Sequence, residues 1–368
     1  MTTFAGAWWA FDTVASQPIE RLRAEGRRLV DPAGRPFIWR GLTGFRAVEL
    51  VASGRAADAE AFFSWAQSQD VTIVRVLTMA ANLFHLAPEA GAAALPATLD
   101  LAADFGLYLE VVGLADTASF QFDVRAHIEA IGAVCAARSN ALVEIANEPR
   151  HPTQDPRLAD PSVLLALRSA VPASVPVALG AAHGADDESE AYVGGDYVTV
   201  HSDRRDGDSG WRWVRHINEH RALSERIRKF VVNDEPRRDD LARDKHLAVA
   251  FFCRANGLGD TFHYSAGLNA EIATGAELEA LAARRRGWMA IPSDFFGSYR
   301  NVGFIDSPVR SADFTTVVRV YSSVRSNDGY VIGLGVAPGG PRVDWSPAWP
   351  NRELLAAEGG TALWRVWR

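Results

Sequence analysis

Ala141-Leu142-Val143-Glu144-Ile145-Ala146-Asn147-Glu148-Pro149 is the stretch on which the fold turns. It opens as an apolar run with β-branched residues, the pattern of a buried strand. Pro149 ends it, because proline cannot donate to a central ladder. Asn147 and Glu148 are therefore held at the carboxyl end of a strand, where parallel α/β folds place their chemistry. Glu144 falls on the same face as Glu148 by the two-residue period. Within a buried strand it reads as a paired interior carboxylate, since a lone buried charge is costly.

Outward from this strand, apolar runs alternate with amphipathic ones. Strand-like runs fall at 37–45, 71–77, 107–114, 141–149, 175–179, 197–201, 229–232 and 260–264. Helix-like stretches follow at 58–69, 95–105, 124–138, 161–170, 211–227, 241–255 and 276–288, with a short acidic connection after the fifth strand. This succession predicts an α/β fold closed into a parallel (β/α)8 TIM barrel. An open, doubly wound sheet would need a glycine-rich phosphate turn after an early strand. Gly41-Leu42-Thr43-Gly44 matches one poorly.

Both flanks read differently. Residues 27–37 read as two short strands around an Asp31-Pro32-Ala33-Gly34 turn. Toward the other end, residues 317–321 and 329–335 are β-rich, with Asp328-Gly329 as a hairpin signal, and 362–367 reads as a last strand. The expected organisation is an N-terminal hairpin segment over 1–36, the barrel over 37–297, and a small C-terminal antiparallel β-module over 298–368 packed on the barrel.

The 368 residues suffice for one barrel of about 250 residues plus extra structure. A net charge of −7 argues against a nucleic-acid partner, whose binders carry a basic footprint. Cys135 and Cys253 lie in apolar, helix-like segments and read as small buried hydrophobes rather than a disulfide. No apolar run reaches the ~18–20 residues that span a bilayer. Residues 1–11 lack the positive region and apolar core of a secretion signal. The expectation is a soluble chain with no membrane partner; compartment and oligomeric state are not legible.

A second glutamate stands at the mouth of the seventh strand, in Lys229-Phe230-Val231-Val232-Asn233-Asp234-Glu235-Pro236. Two carboxyl groups facing each other are the equipment of glycoside cleavage. One gives a proton to the leaving oxygen, and the other, ionised, attacks the anomeric carbon. Adjacent strand residues point opposite ways, so only one of Asp234 and Glu235 is expected in the pocket. Arg75, within Val71-Thr72-Ile73-Val74-Arg75-Val76, needs a carboxylate partner, and Glu235 and Glu144 both qualify.

The nonapeptide resembles the Glu-Ile-Ala-Asn-Glu-Pro signature of retaining glycoside hydrolases of the cellulase-like superfamily (family 5 type, clan A). In that family the acid/base ends the fourth strand and the nucleophile ends the seventh, where the strand count puts Glu148 and Glu235. The resemblance implies Glu148 as acid/base, Glu235 as nucleophile, Asn147 as a ligand of the sugar 2-hydroxyl and Arg75 as support for the nucleophile. It implies double displacement at a β-glycosidic bond of a glycoside, oligosaccharide or polysaccharide, with no cofactor or metal ion. His201 matches a histidine the family often has on the sixth strand, as a sugar-binding or orienting group; a structural histidine is the alternative. The family's His-x-Tyr is here His201-Ser202-Asp203, without the tyrosine. The tryptophan usual on the eighth strand is replaced by Phe262-His263-Tyr264, which leaves His263 and Tyr264 as candidates for the pocket. Pro236 follows the nucleophile in place of an aromatic residue or glycine. The competing reading is a non-catalytic carbohydrate-binding or structural protein on the same scaffold. A metal-dependent barrel hydrolase would need a His-x-His on the first strand, and Trp39-Arg40-Gly41-Leu42 offers no ligand.

Overall fold

The computed structural model describes residues 19–68, 71–181, 191–201, 212–235, 253, 257–263, 302–304, 309–310, 317–318, 320–323, 331–336, 351–358 and 361–367. β1 (Arg23–Glu25) and β2 (Arg28–Val30) form an antiparallel hairpin that turns at Gly26 and Arg27. The turn at 31–34 also forms, Gly34 N donating to Asp31 O at 2.9 Å, but it closes on a single bridge between Val30 and Pro36. The sequence placed the hairpin on this second turn; Pro36 has no N–H with which to build a ladder there.

The barrel begins β3 (Arg40–Thr43), α1 (Ala47–Ala52), α2 (Ala56–Ser68), β4 (Ile73–Leu77), α3 (Pro88–Asp104), β5 (Tyr108–Leu114) and α4 (Val124–Ala136). It continues β6 (Ala141–Ala146), α5 (Pro161–Arg168), β7 (Val177–Ala178), β8 (Val198–His201), α6 (Arg212–Ile227), β9 (Val231–Glu235) and β10 (Gly259–Phe262). The sheet order is β7-β6-β5-β4-β3-β10-β9-β8, with every neighbouring pair parallel. This is the (β/α)8 barrel, nearly closed. Between β7 and β8 there is no ladder among the described residues. Asp196 bridges that seam: its N–H donates to Val177 O at 2.6 Å and its carboxylate accepts from Val177 N at 3.0 Å. Lys229 Nζ tightens the same corner, donating to Val193 O at 2.7 Å and Gly195 O at 2.6 Å.

α3 starts at Pro88, well before the expected residue 95, because a proline at the first helical turn needs no N–H partner. α1 was not anticipated. Cys253 apart, the helices expected at 241–255 and 276–288, together with residues 1–18 and the boundary at 297/298, lie outside the described residues.

The strands are buried on both faces. Val74, Val76, Leu109, Val111, Val143 and Ile145 point outward and pack with helix residues such as Phe62, Leu95, Leu99 and Ile128. Inside the barrel, the amino-terminal end is plugged by Trp39, Ile73, Leu142, Tyr197, Phe230 and Val232, with Leu22 and Leu29 from the hairpin region in the same cluster. Each such side chain contributes about 1.5–3 kcal/mol by leaving water. Gly41 makes room in this interior: a Cβ there would stand 2.2 Å from Thr261 Oγ1 and 2.7 Å from Trp39 Nε1. With the lower end filled, interior polar groups collect toward the carboxyl end.

Beyond residue 300, β11 (Val302–Phe304), β12 (Val309–Arg310), β13 (Val317–Val318), β14 (Val320–Ser323), β15 (Val331–Val336), β16 (Asn351–Glu358) and β17 (Thr361–Trp367) follow. Five form an antiparallel sheet in the order β11-β14-β15-β17-β16, and β12 pairs with β13. The expected hairpin is β14 on β15, with Tyr321 opposite Ile332. Cys135 and Cys253 are free and buried, as expected. No helix among the described residues is long and apolar enough to cross a membrane.

Candidate active site

β6 ends at Ala146, and Asn147 still holds the neighbouring strand, its N–H donating to Leu114 O at 2.9 Å. The chain then turns at Glu148, which has φ 41°. A non-glycine residue in the left-handed region costs on the order of 1–3 kcal/mol and is found mainly where the surroundings hold it. Here the holding group is Gln154, buried beneath the turn. Its amide nitrogen donates to Asn147 O and to Leu114 O, and its oxygen accepts from Thr117 Oγ1 at 2.9 Å. Gln154 was not anticipated; a lone glutamine in a loop carries no sequence signal.

β9 corrects one expectation. In its pairing with β8, Val200 faces Asn233 and His201 faces Glu235, so Asp234 is an extra residue in a bulge. A bulge interrupts the alternation of side chains. Both acids therefore point into the barrel: Asp234 Oδ2 lies 3.0 Å from Arg75 Nε, and Glu235 Oε1 lies 2.8 Å from Arg75 Nη1.

Arg75 is the hub. Its side chain has no solvent exposure. It donates to Glu144 through Nε at 2.8 Å and Nη2 at 2.9 Å, to Glu235 through Nη1 at 2.8 Å and to Asn147 Oδ1 through Nη2 at 2.9 Å. The choice between Glu235 and Glu144 as its partner resolves as both. Glu110 of β5 adds a third interior carboxylate, 3.8 Å from Nε, and accepts from Tyr197 Oη at 3.0 Å. Glu110 was missed, although a single acid on the inward parity of an apolar strand is the signal that exposed Glu144. Oxygens of Glu110, Glu144 and Asp234 lie within 4.8 Å of one another, and the guanidinium occupies the place a cation would take among them.

These contacts fix charges. Burial draws the Arg75 guanidinium down, but Asp234, Glu144 and Glu235 outweigh it and hold the group well above its usual range. Burial, then the anions Asp234 and Glu144, push Glu110 well above the carboxylate range. Burial raises Glu144 to about 7 against the opposing pull of Arg75. His201 loses protons to burial but gains them from Glu235 and Asp234, which carry it up to about 10. Two cations thus face the inward anions.

At the mouth, His201 Nδ1 lies 3.1 Å from Glu148 Oε1, and its Nε2 lies 3.2 Å from Asp234 and 3.7 Å from Glu235. One ligand-type atom from each of Glu148, His201 and Glu235 falls within 4.8 Å of the others. His263 stands on the far side, with Nε2 3.6 Å from Glu235 Oε2 and Nδ1 3.0 Å from Thr43 Oγ1. Phe45 lies under the guanidinium, whose carbon is 5.3 Å from the ring centre. Arg75 has only donors, so the Asn147 oxygen must face it and the Asn147 NH2 remains as a donor for a ligand. The structure thus brings Asn147, Arg75, Glu148, His201, Glu235 and His263 together; Tyr264 lies outside the described residues.

No protein-family model matches the chain, and no curated protein matches it in sequence. Among solved structures it is similar to a glycoside hydrolase with a TM-score of 0.64 and 14% identity, over 95% of this chain and 97% of that one. It is similar to a glycoside hydrolase of family 5 from Bacteroides vulgatus, with a TM-score of 0.63 and 12% identity over 94% and 92% of the two chains. A family 5 mannosidase from Rhizomucor miehei aligns with a TM-score of 0.50 and 10% identity, over 67% and 86%. At these identities the likeness is one of fold: family 5 glycoside hydrolases share this chain's barrel.

Proposed function

We propose that the chain is a retaining glycoside hydrolase that cleaves β-glycosidic bonds by double displacement. The observation that carries the reading is the approach of Glu148 and Glu235, with carboxylate oxygens within 4.8 Å across the barrel mouth. Retaining enzymes hold these groups about 5–5.5 Å apart, and inverting ones about 6.5–9.5 Å. Glu235, kept ionised by Arg75, attacks the anomeric carbon while Glu148 protonates the leaving oxygen. The glycosidic C–O bond breaks and a glycosyl ester forms on Glu235. Glu148, now a carboxylate, takes a proton from water, which attacks the ester and frees Glu235. The Asn147 NH2 meets the sugar 2-hydroxyl, and His201 and His263 flank the two carboxylates. The substrate is a glycoside, oligosaccharide or polysaccharide. The two carboxyl groups account for every proton and charge in the cycle. In this reading residues 1–36, 37–297 and 298–368 are hairpin segment, catalytic barrel and β-module.

The test is a panel of aryl β-glycosides with wild type and Glu235→Gln. Turnover by wild type with retained anomeric configuration, lost in Glu235→Gln while sugar binding persists, is expected. Sugar binding without turnover of any glycoside by wild type overturns the proposal in favour of a non-catalytic carbohydrate-binding barrel. An inverted product overturns the mechanism alone.

A further inference from the structure

The bulge in β9 turns inward a carboxylate that the double displacement does not use. Asp234 has no solvent exposure, and its Oδ1 lies 3.2 Å from His201 Nε2. Its Oδ2 lies 3.0 Å from Arg75 Nε. Neither oxygen makes an aligned hydrogen bond among the described residues, so its partnerships are ionic. Arg75 is shared with Glu144, Glu235 and Asn147, whereas His201 Nε2 faces Asp234 more closely than Glu235. The other ring nitrogen of His201 faces Glu148 at 3.1 Å. Asp234, His201 and Glu148 thus stand in a line, reaching from the buried interior to the mouth.

Imidazole chemistry gives this line a function. With its proton on Nε2, neutral His201 can accept the Glu148 proton at Nδ1; as imidazolium it donates to Glu148 from Nδ1 and keeps an ionic contact with Asp234 at Nε2. In either form a single proton lies between His201 and Glu148, and an anion at Nε2 holds it there. Glu235 also faces Nε2, but its charge disappears when it becomes a glycosyl ester. Asp234 is the anion that stays. Among the described residues, the remaining titratable groups around the line are Arg75, Glu110 and Glu144 beside Asp234, and His263 beyond Glu235.

We propose that Asp234 is a positioning residue that acts through His201 to hold the acid/base proton on the His201–Glu148 pair. The pair gives up one proton to the leaving oxygen and regains one from water, and Asp234 takes no part in that exchange. Use of that proton rests on the glycosidase reading; its location does not.

Two measurements test this on the full-length protein. The first is nitrogen NMR titration of ¹⁵N-histidine-labelled protein without substrate, the His201 signal being assigned by its loss in His201→Gln. The wild-type midpoint should lie well above 6.5, and Asp234→Asn should lower it by about 1 unit or more. An unchanged midpoint overturns the proposal. The second compares leaving groups on a sugar that the wild type cleaves. Asp234→Asn should lose about tenfold or more on a poorly leaving alkyl or methoxyphenyl glycoside, which needs the proton. Its loss on a dinitrophenyl glycoside, which does not need it, should be markedly smaller. The alkaline limb of kcat/KM should move to lower pH with the NMR midpoint. Equal losses on both substrates, or an unmoved limb, overturn the proposal. If Asp234→Asn does not fold, the same readings are taken on Asp234→Ser. Should wild type cleave no glycoside, the functional reading fails and the titration still decides where the proton is held.

Discussion

Replacing Arg75 by glutamine removes the only guanidinium that, among the described residues, stands in a pocket with Glu144, Asp234 and Glu235 within 3.0 Å of it. Removing one partner of a buried ion pair costs about 3–5 kcal/mol, because the other charge is stranded. At roughly 2–4 °C per kcal/mol the melting midpoint should fall by about 6–20 °C at neutral pH. The stranded carboxyls escape by taking up protons, which gives the loss a pH signature. Glu144 already sits at about 7 with Arg75 in place. Without it, burial is left unopposed at Glu144, whose folded-state value rises further above its unfolded one. An acid raised on folding costs nothing below its unfolded pKa, and its full cost appears above the folded one. The gap between wild type and Arg75→Gln should therefore be small at pH 5 and widen toward pH 8. Thermal unfolding followed by circular dichroism at pH 5, 6.5 and 8 measures it. A gap that is constant across this range, or that stays under about 1 kcal/mol, refutes the assignment of Arg75 as the charge hub. Arg75→Lys should not restore stability, since an ammonium cannot make the forked contacts.

Glu148→Gln should lower turnover of poorly leaving glycosides by about 10²–10⁴-fold. Azide, an anion that needs no base, should restore turnover of a dinitrophenyl glycoside and give a β-glycosyl azide; absence of rescue counts against Glu148 as acid/base. Glu144, raised from 4.5 to about 7, contributes stability below pH 4.5 that is lost as the pH rises to 7, on the order of 3 kcal/mol. Glu144→Gln should flatten that part of the stability–pH curve, as read by urea midpoints. Gly91→Ala should destabilise by about 1–3 kcal/mol, since a Cβ there would stand 1.7 Å from Thr78 O. Thr78 is tied by Oγ1 to Val112 O and Gly113 O and has nowhere to retreat; an unchanged denaturation midpoint contradicts this.

The barrel was legible because its strands are buried on both faces and therefore read as continuous apolar runs between amphipathic stretches. Glu148 and Glu235 were legible because proline marks where those runs stop. Asp234 was misread for a specific reason: alternation is a rule about regular strands, and nothing in Val231-Val232-Asn233-Asp234-Glu235 announces that the ladder skips a residue. Arg75 announced a partner but not its number of partners, because one guanidinium serves several acceptors only when neighbouring strands deliver them to one depth. Gln154 was invisible because its work is done on backbone carbonyls of segments distant from it in sequence. Seven of the joints between neighbouring barrel strands could be inferred from order alone. The seam at Asp196 could not, since it depends on β7 being only Val177–Ala178.

That seam makes the barrel a hoop with a clasp. On one side of it hang Asn147 and Glu148, after β6; on the other hang His201, Asp234 and Glu235, on β8 and β9. The span between the two glutamates is then a gauge of how firmly the clasp is drawn. Asp196 and Lys229 grip at the opposite end of the strands from the mouth, so slackening either one would pry the pair apart at a distance. A defect there, as in Lys229→Met, would surface as a lower kcat with KM little changed; a variant that alters KM alone would show that the hoop holds its diameter by other means.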